Sequence, residues 1–137
     1  MSAVEFLDTN VLVYSYDTTD SRKQEIAQNL VRKAVAGDIV TSTQVLGEFA
    51  ATLLRKVVPP VAPSDLADIL DALGPVALVA TDADMVRRAV EVRGRYGLHF
   101  YDSLIIAAAE RAGCKRIWSE DLNSGQDYFG ISAHNPF

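Results

Sequence analysis

The sequence holds a single cysteine, Cys114, so no disulfide can close within the chain. With no secretory pattern at the N-terminus either, a reducing, intracellular setting is expected, and the cytoplasm is the default location. No apolar run approaches the roughly 20 residues that a membrane-crossing helix needs, which argues against a helical membrane protein. A surplus of positive charge is missing too: 13 Lys and Arg stand against 18 Asp and Glu, for a formal net charge of −5. Proteins that coat nucleic acid carry a basic face, so that class is disfavoured. An enzyme that gathers its negative charge at a cation site is not. Histidine is scarce: His99 and His134 fall in an expected loop and in the tail without paired ligand spacing. Both are read as structural or surface residues. The sequence offers no good histidine base or covalent nucleophile.

The 137 residues are 49% apolar and 23% charged, an ordinary balance for one domain with one sizeable core, expected to span 1–137. No internal repeat, low-complexity tract or linker interrupts it. Val4 to Leu7 reads as a short buried strand and Asn10 to Tyr14 as a helical turn or short helix. After the capping run Thr18-Thr19-Asp20-Ser21, the residues Ile26, Ala27, Leu30, Val31, Ala34 and Val35 recur at helical spacing up to Gly37. Ile39 to Thr41 is a second strand. The stretch 42–57 is an amphipathic helix with an apolar stripe of Val45, Leu46, Phe49, Ala50, Leu53 and Val57. Prolines at 59, 60 and 63 break the chain, and Ser64 or Asp65 is expected to cap a helix through Leu73. Val76 to Ala80 forms a third strand, followed by a helix to about Tyr96. Tyr101-Asp102-Ser103 opens another through Ala112, and Arg116 to Trp118 is a fourth strand. The tail is turn-rich, with one weak strand near Ile131. Short apolar strands alternating with helices predict a three-layer α/β/α sandwich around a short, mostly parallel sheet.

Ligands of open α/β sheets gather outside the carboxyl ends of the strands. Asp8 follows the first strand and Asp121 the fourth, while Asp102 lies at a helix start where the dipole favours negative charge. The segments FLDTN, FYDSL and WSEDLN each set a carboxylate beside apolar residues and small hydroxyl or amide groups. Carboxylates brought together repel unless a cation joins them, and Mg²⁺ and Mn²⁺ prefer such oxygen donors. Each acid also has a plainer reading. Asp102 can cap its helix, and Asp8 and Asp121 can be turn residues. Glu48 shares a helix face with Gln44, Thr52 and Arg55 opposite the apolar stripe, so periodicity calls it solvent-exposed unless a cleft lies on that side.

Taken in order, FLDTNVLVYSYD, the Glu of TSTQVLGEFAATLLRK, FYDSLIIAAAERAGC and IWSEDLNSG resemble the PIN-domain ribonucleases, and among them the VapC-type toxins of toxin–antitoxin modules. The resemblance runs from Val4 to Phe137. It implies a metal-dependent endoribonuclease acting on single-stranded or loop RNA. Asp8, Glu48, Asp102 and Asp121 would hold one or two Mg²⁺ or Mn²⁺ ions, supported by Thr9, Asn10 and Ser119. Asp127 is a further candidate, because some members place an extra acid in the last loop. Glu120, Asp121 and Asp127 all compete in that segment; Asp121 is chosen for its spacing after Ser119. A cognate antitoxin docked in grooves between the early helices, and a homodimer, are likewise implied.

RNA must be held despite the acidic total. Arg22, Lys23, Arg55, Lys56, Arg87, Arg88, Arg93 and Arg95 occur in pairs or near-pairs, but most read as solvated helix faces. Arg55 is preferred for RNA, since it shares the face of Glu48. Tyr14, Tyr16 and Tyr101 flank acids and are read as packing residues before base-stacking ones. Two other classes compete. An aspartyl phosphatase or receiver domain wants an acid where Asn10 stands or beside Asp8. A PIN-like module that binds RNA or protein without catalysis usually lacks part of the acidic set, which here is complete.

Overall fold

A strand covered on both faces is apolar almost throughout, and the central strands here satisfy that: Phe6, Leu7, Ile39, Ile117 and Ala133 are all buried. The computed structural model describes residues 4–137; the expected domain start at Met1 lies outside them. The elements are β1 (Val4–Leu7), α1 (Thr9–Tyr16), α2 (Ser21–Val35), β2 (Ile39–Ser42), α3 (Thr43–Arg55), α4 (Pro63–Ala72), β3 (Leu78–Val79), α5 (Ala83–Tyr96), α6 (Phe100–Arg111), β4 (Cys114–Trp118), β5 (Asp127–Tyr128) and β6 (Ile131–His134). They form one six-stranded sheet in the order β3-β2-β1-β4-β6-β5. Every pairing is parallel except the β5–β6 hairpin. Helices complete the three-layer α/β/α sandwich, α1 packing on α2 and α3, and α5 on α6. Among the described residues no helix is long and apolar enough to cross a membrane.

Several boundaries differ from the sequence reading. Helix α4 starts at Pro63 behind Ala62, without a side-chain cap, so neither Ser64 nor Asp65 caps it. Proline at the first helical position lacks the N–H that a cap would serve. Helix α6 is capped by His99, whose Nδ1 accepts from the Tyr101 amide at 3.3 Å, which leaves Asp102 inside the first turn rather than at the cap. Strand β3 shrinks to two residues, and β4 begins earlier, at Cys114. The tail holds two strands: Ile131–His134 pairs in parallel with β4, and Asp127–Tyr128 closes a hairpin on it.

Candidate functional site

The site begins with register. Leu7 lies opposite Trp118 in the β1–β4 ladder. The pairing runs one residue further, because the Asp8 amide donates to the Trp118 carbonyl at 3.0 Å. Asp8 and Ser119 are therefore neighbours at the carboxyl edge of the sheet. The Ser119 Oγ donates to Asp8 Oδ2 at 2.7 Å, and the Thr9 amide donates to Asp8 Oδ1 at 2.7 Å as α1 begins. Only 5% of Asp8 is exposed. Burial outweighs those two hydrogen bonds, the charges of Asp121 and Asp102 add to it, and the Asp8 carboxyl is pushed up to about 6.

The other acids arrive from three separate elements. Glu48 projects from the exposed face of α3, and the Thr9 hydroxyl donates to its Oε1 at 2.8 Å. Asn10 joins α1 to the loop after β4: its Nδ2 donates to Asp121 Oδ2 at 3.2 Å, and its Oδ1 accepts from the Glu120 amide at 3.2 Å. Ser119 Oγ also accepts from the Asp121 and Leu122 amides, at 3.1 and 3.3 Å, so one hydroxyl shapes that loop and grips Asp8. Asp102 is half-buried; burial first and then the charge of Asp121 push its carboxyl up, with His99 pulling partly back.

Asp8, Glu48, Asp102 and Asp121 line one cleft of about 450 Å³ with Thr9 and Asn10, so the quartet expected from the sequence shares a single site. Ser119 supports it from beneath, fully buried. Asp127 does not reach the cleft: it stands in the β5–β6 hairpin, where its Oδ1 accepts from the Gly130 amide at 2.8 Å. Arg55 is not a lining residue either; it borders a separate groove with Leu54, Lys56 and Val61. Tyr14 lines the cleft, whereas Tyr16 and Tyr101 do not. Two further acids line the cleft: Asp17, which the sequence did not single out, and Glu120, set aside there in favour of Asp121. Asp17, the last residue of FLDTNVLVYSYD, caps the end of α1, and its Oδ1 is engaged by the amide and hydroxyl of Thr19. Glu120 is held by Lys23 Nζ at 2.6 Å and by the Tyr14 hydroxyl at 2.7 Å. Burial pushes its carboxyl up, but these two bonds prevail and the net displacement is downward.

A hard divalent ion fits this donor set. The described lining residues supply carboxylate oxygens and no Lys or Arg, and Asp8 bears the repulsion of two acidic neighbours. In the present side-chain arrangement no three His, Cys, Asp or Glu side chains among the described residues stand close enough to grip an ion together. Glu48 accepts instead from Thr9, Asp121 from Asn10, and Asp8 from Ser119.

Ser119→Ala removes the donor to Asp8 and leaves the Asp121 and Leu122 amides without that acceptor. Each unsatisfied buried group costs about 1–3 kcal/mol. Ser119→Ala is therefore expected to melt at lower temperature than wild type, and Ser119→Thr, which keeps the hydroxyl, to lose less; calorimetry of the three proteins measures this.

Fold and cleft together define an α/β protein with an acid-lined site at the carboxyl edge of a parallel sheet. Residues 6–124 match the family model described as PIN domain, and the chain belongs to the PIN domain family. No curated protein sequence matches it significantly. Solved structures share its fold. A toxin–antitoxin complex from Klebsiella pneumoniae aligns at 19% identity and TM-score 0.68, over 99% of this chain and 98% of that one. VapC20 of Mycobacterium tuberculosis, described as a sarcin–ricin-loop-cleaving toxin, aligns at 22% identity and TM-score 0.68, over 93% and 98%. DNA-bound VapBC from Salmonella typhimurium aligns at 16% identity and TM-score 0.71, over 99% and 100%.

Proposed function

We propose that this chain is a Mg²⁺- or Mn²⁺-dependent endoribonuclease of single-stranded or loop RNA. It acts in the cytoplasm as the toxin of a toxin–antitoxin pair, restrained by its antitoxin and paired with a second copy of itself. One observation carries the reading: Asp8, Glu48, Asp102 and Asp121, from four different parts of the chain, line one cleft at the sheet edge. The likeness to structures named as VapC-type toxins and toxin–antitoxin complexes, over nearly their full length, supports the biological role.

Asp8, Glu48, Asp102 and Asp121 would hold the ion or ions. A divalent ion in such a site supplies an activated water at neutral pH and offsets charge on the phosphate. The chain's own part is orientation. Ser119 and the Thr9 amide fix both oxygens of Asp8, the Thr9 hydroxyl steers Glu48, and Asn10 steers Asp121. The carboxyls of Asp8 and Asp102, pushed up by burial and by the charge of Asp121, would be relieved by a cation.

Cleavage of labelled single-stranded RNA with Mg²⁺ or Mn²⁺, by wild type and Asp102→Asn, tests the proposal. Equal rates, or cleavage that a chelator leaves untouched, overturn it. The dispersed carboxylates favour one competing reading, a non-catalytic RNA- or protein-binding module. Absence of heat on titration with millimolar Mn²⁺ would support that module.

A further inference from the structure

A polyanionic substrate entering this cleft meets Asp8, Asp17, Glu48, Asp102, Glu120 and Asp121, and no Lys or Arg among the described lining residues. Beyond any ion the cleft holds, positive charge for the flanking phosphates must come from behind the lining. Most of the paired cations are committed elsewhere. Arg88 is bound to Glu110 and Glu91, Arg87 to Asp84, and Arg22 to the Phe137 carbonyl oxygen. Arg55 and Lys56 border the separate groove at the end of α3.

Lys23 differs. It stands on α2, and its Nζ reaches two residues of the cleft wall, Glu120 Oε2 at 2.6 Å and the Tyr14 hydroxyl at 3.4 Å. Its ammonium also lies 4.8 Å from the centre of the Tyr14 ring and 5.6 Å from that of Phe137. An ammonium has three N–H donors, so these two acceptors leave one for a further oxygen. The side chain is 28% exposed, enough for an oxygen to approach from solvent. Held between two rings and a carboxylate, it has already lost much of the rotamer freedom that a solvated lysine gives up on binding.

We propose that Lys23 is a substrate-positioning residue, binding an RNA phosphate at the α1–α2 wall of the cleft, and that Glu120 is its counter-ion and competitor rather than a member of the metal-holding set. The assignment rests on the ribonuclease reading above. It gives Glu120 and Asp121, adjacent in sequence, separate tasks: one tethers the phosphate-binding cation, the other faces the ion. It also predicts opposite effects for the two halves of one ion pair. Removing Lys23 weakens RNA binding; neutralising Glu120 releases the ammonium and strengthens it.

The test is binding of a fluorescein-labelled single-stranded RNA to the full chain in chelator, measured by anisotropy across a salt series. Each phosphate contact to a single strand contributes about 0.7 to the slope of log affinity against log salt. Lys23→Met is expected to bind about tenfold more weakly, with a slope shallower by about 0.7. Lys23→Arg restores the slope, and Glu120→Gln binds more tightly than wild type. The double variant Lys23→Met/Glu120→Gln has the net charge of the wild type, yet keeps the shallow slope of Lys23→Met. In the cleavage assay Lys23→Met raises KM and leaves kcat unchanged. A merely structural pair would make both single variants weaken binding with the slope intact, which would overturn the assignment, as would a double variant indistinguishable from wild type. Wild-type protein that neither binds nor cleaves RNA would sink the ribonuclease reading and Lys23 with it. Wild-type cleavage with a slope that Lys23→Met leaves unchanged would sink the Lys23 assignment alone.

Discussion

Metal-free Asp8→Asn is expected to be more stable than wild type at pH 7, by up to about 3 kcal/mol, and to match it near pH 4. The Asp8 carboxyl is raised to about 6 by burial, against about 3.9 in an unfolded chain. Between those values the folded state binds more protons than the unfolded one. The stability of the wild type is thus fully present below about pH 4, falls as pH rises through 6, and is level beyond that. Asparagine carries no charge to bury, so the difference between the two proteins opens over the same window. It keeps an acceptor for the Thr9 amide, but its amide must reorient toward Ser119, so the observed gain should fall short of the full value. For a chain of this length each kcal/mol corresponds to about 4 °C in Tm. Thermal melts in chelator at a series of pH values measure it. A variant less stable than wild type at pH 7, or a difference constant with pH, would show that Asp8 is not paying for its burial. Added Mn²⁺ should then reverse the order, because an ion bound only by the folded wild type stabilises it by mass action.

That Asp8 stands at the sheet edge was legible in the sequence because of where it interrupts an apolar run. Phe6 and Leu7 demand burial, and a carboxylate directly behind them must stand at the sheet edge. Strand β4 was legible for the same reason. The edge strands were less so: Leu78–Val79 and Asp127–Tyr128 are two residues each, too short to show a period. Asp102, by type the stronger cap, was an open candidate to cap α6, and only the backbone path of the preceding loop puts His99 in that position. Periodicity was right that Glu48 lies opposite the apolar stripe of α3, and it is exposed. It could not show that this face looks across a cleft at Thr9, a partner 39 residues away. Spacing after Ser119 favoured Asp121 over Glu120 and Asp127, but the surroundings of the other two lay out of reach. Lys23 and Tyr14, 97 and 106 positions away, hold Glu120, and a hairpin carries Asp127 away from the cleft.

The largest expected effect separates those same acids by activity. Asp8→Asn and Asp102→Asn should each lower kcat/KM for RNA by about 10³ or more, since the charge stabilisation that an ion supplies is worth several kcal/mol. Asp121→Asn should fall with them, although an amide at this position can still accept from Asn10. Asp127→Asn should stay within about twofold of wild type, because its carboxylate serves a hairpin turn on Gly130 rather than the cleft. Stability and activity must be measured on the same preparations. Asp8→Asn is predicted to gain the first while losing the second, so its lost activity could not be assigned to unfolding. A carboxylate found to destabilise the metal-free protein would be better explained by an ion that needs it than by a turn that does not. If Asp8→Asn were instead both stable and active, with Asp127→Asn inactive, the ion would have to be placed near the β5–β6 hairpin, and the cleft would lose its claim to the chemistry.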